Sequence, residues 1–139
     1  MIITSETDFA SAPSTRAGRL WPWWVLRVVT VLTTLSAFTQ AVLAGGLVAG
    51  RIDALPPHSN NGLILGGATL LLGCVLILVW RPGGGPWWVL LAAAALSFAT
   101  VVQIVVGFAR ILAVHVPLGV AVIVAEVLLL AWAWRRPQQ

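Results

Sequence analysis

Apolar residues fall in four long blocks, roughly Trp23–Val48, Gly62–Trp80, Trp87–Phe108 and Val116–Trp134, each bounded by charges, prolines or glycines. A helix that crosses the hydrocarbon core of a bilayer needs about 20 mostly apolar residues. Each block is long enough, and none shows the short alternating segments of a membrane barrel. The pattern predicts an all-α integral membrane fold, a four-transmembrane-helix up-down bundle. The connections Gly50–Pro57, Arg81–Pro86 and Ala109–His115 are too short to house a further domain.

Three stretches follow from this reading. Residues 1–20 are polar and rich in Ser, Thr, Pro and Arg, the composition of a disordered tail. Residues 21–136 form the transmembrane domain, and 137–139 are a C-terminal tail. The first apolar block is about twice the length of a signal peptide's apolar region, and Ala44-Gly45-Gly46 is a poor cleavage site. The first helix is therefore expected to be retained.

Composition agrees. Of 139 residues, 60% are hydrophobic and 9% charged, and the mean hydropathy is +0.99. A soluble fold of this size cannot bury so much apolar surface. All basic residues besides two histidines are arginines. Arg16, Arg19, Arg27, Arg81, Arg135 and Arg136 belong to one side of the predicted bundle, and only Arg51 and Arg110 to the other. The excess predicts that both termini are cytoplasmic in a multi-pass protein of the cell (plasma) membrane. The net charge of +4 is thus a topology signal beside lipid, not a nucleic-acid surface. Trp21, Trp23, Trp24, Trp80, Trp87, Trp88, Trp132 and Trp134 are expected at the cytoplasmic interface, where indoles form belts. Cys74, the single cysteine, excludes an intrachain disulfide and suits a soft apolar filler.

The first two blocks can be laid over the last two. Gln40-Ala41-Val42-Leu43-Ala44-Gly45 matches Gln103-Ile104-Val105-Val106-Gly107, and an arginine follows each, Arg51 and Arg110. His58-Ser59-Asn60-Asn61-Gly62 then matches His115-Val116-Pro117-Leu118-Gly119, and each copy ends in Trp-Arg, at Trp80-Arg81 and Trp134-Arg135. A duplicated helical hairpin related by an axis along the membrane normal carries His58 onto His115. In an up-down bundle the second and fourth helices are diagonal, so the two imidazoles are expected to face each other across the core.

Two facing imidazoles suit a six-coordinate haem, a b-type haem (heme b) with His58 and His115 as iron ligands. Gly62 and Gly119, one turn from each histidine, would clear space for a flat ring. Arg51 and Arg110 would pair with propionates in the forked geometry of guanidinium, and Gln40 and Gln103 would donate to histidine or cofactor. The same residues also admit a plainer role. Histidine and asparagine are ordinary interfacial residues, Asn60-Asn61 would cap the second helix, and Pro117 suits a first helical turn. Glu126 is the one acid inside a predicted span and lies three turns after His115 on the same face, with Thr69 as its counterpart in the repeat. It is a possible intramembrane proton site, or a hydrogen-bonded structural carboxyl. Asp53 is expected to pair with Arg51 in solvent.

At these residues the chain resembles one four-helix half of the haem A synthase family, and it is also similar to small four-helix actinobacterial membrane proteins with Q…AG…H and Q…H patterns. The stretch from Val102-Gln103-Ile104-Val105-Val106-Gly107 through Arg110 to His115 is similar to the family's Q-I-x-x-G…R and following histidine helix. Architecturally the resemblance covers about residues 25–136. It implies histidine ligands on the second and fourth helices, again His58 and His115. The chain departs from the family in having one bundle, no outer-loop cysteine pair, and Leu55-Pro56-Pro57 where a loop acid precedes the first histidine.

These readings lead to a bis-histidine haem-binding membrane protein in electron transfer or haem handling, with no catalytic residue assigned. Homodimerisation or a membrane-complex partner is expected, and no nucleic acid. The alternatives are a cofactor-free structural or accessory subunit, whose small-residue faces (Gly45-Gly46, Gly66-Gly67, Gly73, Ala92–Ala95) serve helix contact, and a small transporter with Glu126 as coupling acid.

Overall fold

The computed structural model describes residues 17–135. The expected N-terminal tail up to residue 16, together with Arg16, Arg136 and residues 137–139, lies outside them. Four α-helices account for nearly all of the described chain: α1 (Ala17–Val48), α2 (Leu55–Trp80), α3 (Trp88–Phe108) and α4 (Leu112–Arg135). Each is long and apolar enough to cross a membrane. The shortest, α3, has 21 residues, about 31 Å at 1.5 Å per residue, which matches a hydrocarbon core of about 30 Å.

The helix starts differ from the sequence reading. α1 begins at Ala17 and takes in the end of the segment read as tail. α2 begins at Leu55 rather than Gly62, and α4 at Leu112 rather than Val116. For α2 the prolines that bounded the apolar block are the reason. Pro56 and Pro57 occupy the first positions of α2, where no intrahelical N–H is required. Both histidines are consequently inside helices. Asn60 and Asn61 are not caps, since Ala54 holds that position in α2, and Pro117 sits beyond the first turn of α4.

The helices pack in a square. α1 lies against α2 and α4, α3 lies against the same two, and α1–α3 and α2–α4 are the diagonals. The link between α1 and α2 contains a short 3-10 turn, Ile52–Ala54. The link between α2 and α3 folds back under α2, with Gly83 N–H donating to Leu78 O and Gly85 N–H to Val79 O. A side chain at Gly83 would lie 2.6 Å from the Val79 carbonyl oxygen, so only glycine permits that approach.

Packing divides the bundle into two halves. At the tryptophan end a continuous apolar core holds Leu26, Leu72, Leu76, Val79, Val89, Leu129 and Ala133. Trp132 stacks there between Trp23 and Trp88, with ring centroids at 5.4 and 5.0 Å. Trp23 Nε1 donates to Gly83 O at 3.0 Å. At the opposite end no residue from Phe38 to Val48, from Leu55 to Ile64 or from Val101 to Ala121 is buried. Large apolar side chains such as Val28, Leu32, Leu70, Leu91, Phe98 and Leu128 face outward along the whole length, as suits helices long and apolar enough to cross a membrane. Cys74 faces outward too and fills no gap in the core.

Candidate functional site

His58 on α2 and His115 on α4 meet across the diagonal at the loosely packed end. Their ring centroids are 6.1 Å apart and the planes cross at 68°. The backbones of α2 and α4 do not approach each other, so the contact is made by the imidazoles alone.

The α3 backbone orients His115. Its Nδ1 lies 2.9 Å from the Gln103 carbonyl oxygen. A carbonyl only accepts, so Nδ1 carries a proton and donates it. The ring is seated on Gly107, where an added Cβ would come within 2.7 Å of His115 Cε1. Gln103 and Gly107 stand four residues apart, one helical turn, so one face of α3 provides both the carbonyl and the seat.

His58 is held differently, because Ala44 stands in the matching place on α1. The Gln40 amide takes over. Its nitrogen donates to the His58 carbonyl oxygen at 3.0 Å and lies 3.3 Å from His58 Nε2. The orientation of that amide is fixed from behind, since Asn61 Nδ2 donates to Gln40 Oε1 at 2.8 Å and to Ser36 O at 3.0 Å. Ser36 Oγ closes the loop by donating to Asn61 Oδ1 at 3.0 Å. His58 Nδ1 is buried without a partner.

Gly62 and Gly119 clear space, but glutamine amides fill it. A Cβ at Gly62 would lie 3.0 Å from Gln40 Nε2, and one at Gly119 would lie 2.8 Å from Gln103 Nε2. The expectation that these glycines admit a flat ring thus becomes a narrower statement: each lets a glutamine side chain cross to the neighbouring helix. Gly66 has a similar use, since a side chain there would collide with Ile104. Gly45 and Gly67 face open space.

Arg51 is drawn to Asp53, as expected, in an exposed pair at 3.7 Å. Arg110 ends α3 with φ at 58°, a left-handed conformation that costs a non-glycine residue about 1–2 kcal/mol. Both arginines are exposed at the histidine end.

About three helical turns deeper than the histidines lie further buried polar side chains: Thr30, Thr33 and Thr34 on α1, Thr69 on α2, Thr100 on α3 and Glu126 on α4. Glu126 is 0% exposed, with Oε2 2.6 Å from Thr33 Oγ1. Its other oxygen has no partner. At the tryptophan end, Arg27 is buried, donating from Nε to Ala133 O at 3.2 Å, with its guanidinium 4.9 and 5.2 Å from the rings of Trp24 and Trp134.

Sequence reasoning named the histidines and both glutamines, but it read Asn61 as a helix cap, quoted Gly107 only as part of the repeat, and assigned nothing to Ser36. The signal for Gly107 was present in its spacing of four from Gln103. Ser36 and Asn61 carry no signal until α1 and α2 are docked.

Among the described residues no group of three or more His, Cys, Asp or Glu side chains is placed to hold a metal ion. Any metal at this end would need further donors of its own, as a porphyrin provides. No protein-family model, no curated protein and no solved structure matches this chain.

Proposed function

We propose that this chain is a bis-histidine haem-binding protein of the cell membrane, engaged in electron transfer or haem handling. The observation that carries the reading is the meeting of His58 and His115 at 6.1 Å between ring centroids. Two metal–nitrogen bonds of about 2 Å, with a ring radius of about 1 Å at each end, span about 6 Å.

The donor set fits the group. His115 has its Nε2 unclaimed by any hydrogen bond to the protein and its Nδ1–H anchored on a carbonyl, the arrangement that fixes and strengthens metal-bound histidine. His58 has a buried nitrogen without a partner, and the other is only weakly engaged by Gln40 at 3.3 Å. No fully buried apolar residue surrounds the pair, so a flat cofactor would enter by displacing the amides of Gln40 and Gln103 rather than a packed core. Arg51 and Arg110 are the candidate propionate partners, and Gln40 and Gln103 line the approach. A haem with two imidazole ligands supplies one-electron chemistry and has no open iron position for a substrate. The protein's own part is to fix two rings on diagonal helices so that ligation changes little between redox states.

The same reading places the tryptophan end, with Arg27, Arg81 and Arg135, in the cytoplasm. It regards the two hairpins as a duplication, supported by the glutamine-against-glycine contact in each. Homodimerisation, or docking to a respiratory or haem-handling complex, is the expected setting.

Visible absorption of the purified protein from haem-replete cells tests the proposal. We expect a Soret band of a six-coordinate haem, lost in both His58→Ala and His115→Ala. A colourless protein that also fails to take up added haem would leave the accessory-subunit reading in its place.

A further inference from the structure

Six of the seven buried polar or charged side chains form one layer, in which every helix takes part and Glu126 is the only ionisable member. Among the described residues no ion pair involves Glu126. Charged or titratable groups occur on three of the four helices. On α1 the nearest is Arg27, held between Trp24 and Trp134. α3 carries no charged residue. On α2 and α4, His58 and His115 lie eleven positions from Thr69 and Glu126, about 16 Å along a helix.

A carboxylate offers about four lone-pair sites, and here one oxygen has one neighbour and the other has none. Toward a carboxylate the Thr33 hydroxyl donates to Oε2 at 2.6 Å and has no second proton for Thr30 O at 3.3 Å. In a carboxylic acid the O–H would donate to Thr33 Oγ1 instead, which frees the hydroxyl to donate to Thr30 O. The unpartnered buried polar atoms of the described residues are Thr34 Oγ1, His58 Nδ1, Gln103 Oε1 and Glu126 Oε1. All belong to this layer or to the half of the bundle between it and the histidine mouth. None lies in the apolar half.

We propose that Glu126 is a proton-binding site, holding an exchangeable proton as a neutral acid against Thr33 and exchanging it with solvent by way of the histidine end, past Gln103. In the exchange the Glu126 O–H bond breaks and an O–H bond to an incoming proton forms, with no redox change. The site does not depend on haem.

Infrared absorption of the full-length purified protein at neutral pH, before and after transfer to D2O, tests this. A carboxylic-acid C=O band is expected that disappears in Glu126→Gln, shifts in frequency but persists in Thr33→Val, and moves to lower frequency in D2O. In Gln103→Leu the D2O shift should develop at least tenfold more slowly. Absence of such a band, or a band that stays unshifted in D2O, overturns the proton site. An unchanged exchange rate in Gln103→Leu overturns the route. Should Glu126→Gln fail to fold, the Thr33→Val frequency shift makes the assignment. Failure here leaves the Soret band untouched, and a missing Soret band leaves this experiment untouched.

Discussion

The two ends of one bundle obey different rules. At the tryptophan end, leucines and valines from all four helices close over one another, and Trp132 is clasped by two further indoles. At the histidine end the same four helices run on, yet none buries a side chain there beyond Ala37, and glutamines, histidines and asparagine occupy the interior. The first region makes the bundle; the second uses it. Side-chain volume explains the division. Glycines at positions 62, 107 and 119 give up packing so that amides and imidazoles from neighbouring helices can cross the gap.

The sharpest way to break this comparison is to truncate one apolar side chain at each end. Leu76→Ala removes a side chain that is 0% exposed and should cost about 2–5 kcal/mol. Val106→Ala, in the open half, should cost about 1 kcal/mol or less. Unfolding in mixed micelles, followed by tryptophan fluorescence, measures both. Equal losses would show that the open half is packed after all.

Gly107→Ala comes next. The added methyl would stand 2.7 Å from the His115 ring, and overpacking of this kind costs about 1–3 kcal/mol. Haem affinity should fall at least tenfold, because the ring loses its seat. Gly67→Ala faces open space and should be neutral or stabilising by up to about 1 kcal/mol. A titration with added haem separates the two variants.

Asn61→Ala should cost about 1–2 kcal/mol by leaving Gln40 Oε1 and the Ser36 hydroxyl without their partner. Its haem affinity should drop less than that of Gly107→Ala, since Asn61 acts on His58 only through Gln40. Smallest of all, Arg110→Gly should raise stability by up to about 1 kcal/mol by relieving the left-handed backbone at φ 58°. If Arg110 holds a propionate, the same variant should bind haem more weakly despite its greater stability.

How much of this was legible beforehand depends on the physics involved. Helix number and type followed from apolar run length, because lipid forces each span to satisfy its own backbone. Helix starts did not, because Pro56 and Pro57 read as a boundary yet occupy the first positions of α2, and Pro117, read in a first turn, lies beyond the first turn of α4. The pairing of His58 with His115 was legible from the repeat plus simple bundle topology. The different support of each ring was not, since it depends on a single position, Ala44 against Gly107, and on how α1 meets α2. Spacing put Glu126 on the His115 face; only packing reveals that its layer is shared by all four helices.

The central claim is that the two imidazoles take opposite faces of one iron without rearranging. Low-temperature electron paramagnetic resonance of the oxidised, haem-loaded protein tests it directly. Because the ring planes cross at 68°, the account predicts a low-spin signal of large anisotropy, as near-perpendicular axial imidazoles give. A high-spin signal, or a low-spin one unchanged in His58→Ala or His115→Ala, would contradict it.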